Sequence, residues 1–109
     1  MSIIMHTPVE RKDQIITLLH GDEARIRALG VKRLGLFGSF ARGEQRADSD
    51  IDILVEFEAG QKTFDRFITL GFSLEELLGR RVDLITVESL SPHLGPHILA
   101  EVEYVSLAA

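Results

Sequence analysis

Apolar residues along this chain change their spacing several times, and each change marks an element. Val9, Ile15, Ile16, Leu18 and Leu19 recur at helical spacing, which predicts a helix from Pro8 to about His20, with Pro8 suited to a first turn. Gly21 interrupts it. Asp22 to Leu29 then reads as a second short helix, with Gly30 placed as its C-terminal stop. Val31 to Phe37 (VKRLGLF) is short, apolar and closed by Gly38, as a strand would be. Ile51 to Phe57 (IDILVEF) alternates strictly: Ile51, Ile53, Val55 and Phe57 share one face, and Asp50, Asp52, Leu54 and Glu56 the other. Thr63 is suited to cap a helix running to about Leu78, burying Phe64, Phe67, Ile68, Leu74, Leu77 and Leu78. Gly71, with Ser73 and Glu76 spaced as a capping box, leaves a kink open in that helix. Gly79 ends it, and Arg81 to Val87 (RVDLITV) reads as a third strand. A last short helix is expected from His93 to about Val102, disturbed near its start by Gly95 and Pro96.

This order predicts an α/β (α+β) chain: a small mixed β-sheet flanked by helices. At 109 residues, without repeat, low-complexity segment or linker, residues 1–109 read as a single domain. A chain of this size buries roughly 65% of its unfolded surface, enough for one core. With no cysteine, disulfides and thiolate metal sites are excluded, and a reducing cytoplasm is compatible. No apolar run approaches the ~20 residues of a membrane span. The opening MSIIMHTPVERK lacks the basic and apolar regions of a secretory signal. A formal net charge of -5 argues against sequence-independent binding to nucleic acid, which depends on lysine and arginine against phosphate.

The chemistry is concentrated between Gly38 and Asp52 (GSFARGEQRADSDID). Side chains two apart on a strand point the same way, which puts Asp50 and Asp52 on one face, with Cα atoms roughly 6.5 Å apart. Unpaired, these carboxylates would raise each other's pKa; a divalent cation removes the repulsion. Magnesium favours such a pair, completing its shell with waters and phosphate oxygens. Asp83 lies between two apolar residues of the next strand and joins the pair if the strands are neighbours. Three carboxylates on adjacent strands can hold two metal ions for phosphoryl or nucleotidyl transfer. Upstream, the Gly38–Ser39 turn offers backbone N–H groups and a hydroxyl to phosphate oxygens, and Arg42 is placed to reach the same anion.

Plainer readings exist for each residue. Asp48, Asp50 and Asp52 imitate the start of a calcium-binding EF-hand loop, but Ile53 and Ala59 stand where it needs glycine and glutamate. Gly38–Ser39 alone reads as a turn, Arg42 alone as a solvated arginine, and Asp83 alone as a salt-bridge partner of Arg80 or Arg81. His93 and His97 stand four apart like a zinc pair, but without an HExxH pattern. Phe64, Phe67 and Phe72, with Leu70, make an apolar surface wider than one helical stripe, part of which reads as a partner interface.

Taken together, G-S-x-A-R-G (Gly38, Ser39, Ala41, Arg42, Gly43), S-D-I-D-x-L-V (Ser49 to Asp52, Leu54, Val55) and V-D-L (Val82, Asp83, Leu84) resemble the minimal nucleotidyltransferases of the DNA polymerase beta superfamily. The resemblance covers nearly the whole chain and implies that superfamily's fold. It implies that Gly38, Ser39, Arg42 and Ser49 contact the nucleotide. It implies that Asp50, Asp52 and Asp83 hold magnesium, two ions being expected, with Asp83 near the attacking hydroxyl. Small members resemble antitoxins that move AMP from ATP onto a tyrosine of a separate HEPN-domain toxin. The expectation is therefore a cytoplasmic, ATP-using protein adenylyltransferase and antitoxin, working in a homo- or hetero-oligomer. Tyr104 is the only tyrosine here, so the acceptor is expected on another chain. The contrasting expectation is a binding module that neutralises its toxin by occlusion, without catalysis.

Overall fold

The structure is a computed structural model that describes residues 7–107; the Met1–His6 part of the opening stretch discussed above lies outside them. The helices are α1 (Lys12–Gly21), α2 (Glu23–Ala28), α3 (Gly38–Arg42), α4 (Phe64–Leu78) and α5 (Gly95–Glu101). The strands are β1 (Val31–Phe37), β2 (Ile51–Phe57), β3 (Val82–Thr86) and β4 (Glu103–Val105), in the order β3-β2-β1-β4. The sheet is mixed. β1 runs antiparallel to β2 and β4, whereas β2 and β3 are parallel, joined through α4. A parallel pair needs such a long crossover, and α4 supplies it.

One sheet face is dry. Leu34, Leu36, Ile51, Ile53 and Val55 are buried there with Ile15 and Leu19 of α1, Ile26 of α2, and Leu70, Leu74 and Leu78 of α4. The two strands carry the bounds expected of them. Thr63 caps α4 as expected, its hydroxyl accepting the N–H of Arg66 at 3.1 Å. Gly79 ends α4 in the left-handed region at φ +71°.

The remaining elements depart from expectation for physical reasons. α1 begins at Lys12, not Pro8, because Val9 is drawn into the core and donates its N–H to the Leu78 carbonyl at 3.1 Å. The Gln14 side chain then accepts the N–H groups of Glu10 (2.7 Å) and Arg11 (3.1 Å), closing the helix start. α4 runs through Gly71 without a break. Its buried side is Leu70, Leu74 and Leu78, whereas Phe64 is 78% exposed and Ile68 37%. β3 is one residue shorter at each end than expected, and Val87–Ser89 form a 3-10 turn after it. α5 starts at Gly95, with Pro96 in its first turn where no N–H is missed. β4, unexpected, adds a fourth strand against β1. No helix among the described residues is long and apolar enough to cross a membrane.

Candidate functional site

The second sheet face carries the polar chemistry. Register places Phe37 opposite Asp52 across β1–β2, and Asp52 beside Asp83 across the parallel β2–β3 pair. Partners in register share a face, so the third carboxylate does join the DxD pair. Asp50 immediately precedes β2 and is exposed, as is Asp83, while Asp52 is partly buried. Asp83 makes no ion pair with Arg80 or Arg81 among the described residues.

Asp52 is held uncomfortably. Burial pushes its carboxyl up to about 6; the charges of Asp83 and then Asp50 add to this, and Arg42 only partly opposes it. Glu101 adds a further, smaller negative contribution there. Among the described residues no three acidic or imidazole side chains close around an ion by themselves. The zinc reading of His93 and His97 thus has no third ligand, and His93 lies before α5 instead of on its face.

Gly38 turns the chain from extended Phe37 into α3 at φ +73°, a conformation that suits glycine. Its α-carbon packs against Asp52, so that a Cβ would overlap that carboxylate. The Gly38 turn and the Asp52 side chain are therefore in direct contact. Ser39 follows, partly exposed in the first turn of α3.

Arg42 is engaged within the chain. Its Nε donates to Glu44 at 2.8 Å, and its Nη1 donates to both carboxylate oxygens of Glu101 at 3.0 and 3.3 Å. Glu101 also accepts the Gly38 N–H at 3.0 Å. That N–H and then Arg42 hold the Glu101 carboxyl below the usual range. Ser49 has a local role: its hydroxyl accepts the Arg46 N–H at 2.7 Å, shaping the turn that delivers Asp50 and Asp52.

Sequence reasoning missed two residues at this site. Glu101 lies 63 positions from Gly38, and no local pattern announces that contact. Arg80 was considered only as a salt-bridge partner, yet it donates to the carbonyls of Val9 (2.6 Å), Ala47 (2.7 Å) and Ser49 (3.3 Å), with its guanidinium over the buried Phe40 ring. It braces the loop before the carboxylates. Its signal was its position directly after Gly79, where the chain leaves α4. Ser49, Asp50 and Arg80 line a depression of about 220 Å³ at one end of the site. A depression of about 350 Å³, lined by Lys62, Thr63, Phe64, Phe67 and Thr86, lies apart from the carboxylates, along α4 and the end of β3.

Residues 23–105 match the family described as nucleotidyltransferase domain. The protein adenylyltransferase MntA of Thermococcus cleftensis is 45% identical over 97 residues, which is 89% of this chain and 95% of that protein. A solved structure provisionally described as a minimal nucleotidyltransferase is 35% identical with a TM-score of 0.67, covering 91% of this chain and 97% of its own. A crystal structure of a toxin–antitoxin with AMP-PNP is 28% identical with a TM-score of 0.64, covering 88% of this chain and 73% of its own.

Proposed function

We propose that this chain, which belongs to the nucleotidyltransferase domain family, transfers AMP from ATP to a hydroxyl of a partner protein. The observation that carries this reading is the corner where Gly38 packs on Asp52 and Asp52 stands beside Asp83. A turn suited to phosphate and a set of carboxylates suited to a hard cation meet there. The name of the Thermococcus cleftensis relative supports protein as the acceptor class. The AMP-PNP in the similar toxin–antitoxin structure supports ATP as the donor, since AMP-PNP is ATP with an imido bridge. In line with the resemblance, we assign the acceptor to a tyrosine of a separate HEPN-type toxin, silenced by this chain as its antitoxin in the cytoplasm.

The residues divide the work. The Gly38 N–H, the Ser39 hydroxyl and Arg42 would hold the triphosphate, and Ser49 would keep the intervening loop in shape. Asp50, Asp52 and Asp83 are hard oxygen donors gathered on neighbouring strands, which fits Mg2+, two ions in this reading. That they do not enclose an ion alone suits a metal that takes waters and phosphate oxygens as its other ligands. Bound Mg2+ would supply charge neutralisation at the phosphates and polarisation of the α-phosphorus. The acceptor oxygen forms a bond to the α-phosphorus, the bond from that phosphorus to the bridging oxygen breaks, and pyrophosphate leaves. Asp83, exposed on the outer strand, would take the hydroxyl proton in this reading.

Intact-mass spectrometry of the toxin, incubated with this chain, Mg2+ and ATP, tests the reading. Additions of AMP mass with the wild type, and none with an Asp50→Ala, Asp52→Ala double variant, are expected. A stable complex without added mass would replace transfer by occlusion. Exposed Phe64, Phe72, Leu94 and Leu99 provide apolar surface for such a complex in either case.

A further inference from the structure

The Gly38 N–H and the Arg42 guanidinium are two of the three donors that the proposed function gives to the triphosphate, and both are already engaged. One carboxylate takes them: Glu101 accepts from Gly38 at 3.0 Å and from Arg42 Nη1 at 3.0 and 3.3 Å. A carboxylate bridging a backbone N–H and a guanidinium presents two anionic oxygens to those donors, as a phosphate would. The location is otherwise hostile to it. Glu101 is the last residue of α5, where the helix dipole disfavours negative charge, and no basic residue occupies that last turn. It also adds its charge to the field of Asp52, which Asp83 and Asp50 already load. The side chain keeps 30% of its surface exposed, so it has a path out.

We infer that Glu101 is an intramolecular stand-in for phosphate, occupying the Gly38–Arg42 donor pair until the nucleotide displaces it. This rests on the reading of Gly38 and Arg42 as triphosphate donors. Glu101 thereby sets nucleotide affinity by competition: each binding event must first break its bonds to both donors. The same contact keeps the turn ordered and Arg42 aimed while the site waits. Arg42 retains its Nε bond to Glu44 when Glu101 leaves, so the guanidinium is not set adrift.

Calorimetric titration of ATP with Mg2+ into the full chain tests this, alongside the amide NMR signal of Gly38. Glu101→Gln keeps the shape and an acceptor oxygen but removes the charge. It should tighten ATP binding about tenfold, the scale of losing one charge-assisted competitor. The Gly38 amide of the nucleotide-free variant should shift away from its wild-type position. Glu101→Asp, one methylene shorter, is the second variant; it withdraws the carboxylate from the donors while keeping the charge, and should also tighten binding. Equal or weaker ATP binding in both variants, with the wild type still binding, would overturn the stand-in and leave the nucleotidyltransferase reading intact. Absence of binding in the wild type and both variants would overturn that reading, and this inference with it.

Discussion

Gly38 packs its bare α-carbon against the carboxylate of Asp52, at a backbone φ of +73°. Both facts forbid a side chain there: the conformation strains any L-residue, and the space is filled. Gly38→Ala should therefore cost about 1–3 kcal/mol of stability, as left-handed strain does, and push Asp52 off its place. Denaturant unfolding should show the loss, and AMP transfer should fall further than the fraction unfolded explains.

The raised pKa of Asp52 predicts an unusual pH dependence. Its folded pKa of about 6 lies above the ordinary value of 3.8, so between these limits the folded state binds more protons than the unfolded one. Stability contributed by this group is therefore present at low pH, falls as pH rises through that window, and is missing above it. Asp52→Asn should raise the melting temperature by a few degrees at pH 7.5, with the gain shrinking toward pH 4. Thermal melts of both proteins across pH check this; a gain that grows on acidification would contradict it. The same variant should lose AMP transfer.

Arg80 should matter for the site by bracing the loop that leads to its carboxylates. Its bonds to the Val9 and Ala47 carbonyls are short, and Arg80→Ala would leave those acceptors unpaired. A loss of about 1–3 kcal/mol is expected by melting or denaturant titration. Lysine, a single-point donor, should not restore it, because the guanidinium spans separate carbonyls. Hydrogen exchange should quicken in the loop from Gly43 to Asp50.

Thr63 offers a control remote from the carboxylates. Its hydroxyl caps α4, and Thr63→Ala should cost about 1 kcal/mol. AMP transfer at low temperature should be unchanged. A parallel loss of transfer would mean that α4 communicates with the site.

Alternation and punctuation made much of this legible. β1 and β2 were readable to the residue because one face of each is dry and a glycine or polar turn closes it. The link between Asp52 and Asp83 follows from side-chain parity if the strands are neighbours, and the register shows that they are. What stayed hidden depended on contacts remote in sequence. The orientation of α4 is the clearest case. Leu70, Leu74 and Leu78 form one apolar row, and Phe64, Ile68 and Phe72 form another, two residues or about 200° around the helix. Spacing alone cannot say which row meets the sheet. β4 is three residues long and exists because β1 offers it an edge. Glu101 was invisible for the same reason: only the closure of α5 against α3 brings it to Gly38.

The parallel pairing of β2 with β3 also bears on how the protein comes into being. Its two carboxylate-bearing strands cannot meet until α4 has folded back between them, so the site is built from late, long-range closures, which form slowly. Its parts run from Gly38 to Asp83, so a partly folded chain holds the turn without the full set of acids. Nucleotide can then recognise only the finished molecule, and its binding energy is added wholly to the native side of the folding equilibrium. On the ribosome, where the N-terminal part emerges first, a nascent chain stays inert toward ATP until the segment through Asp83 has been made and docked.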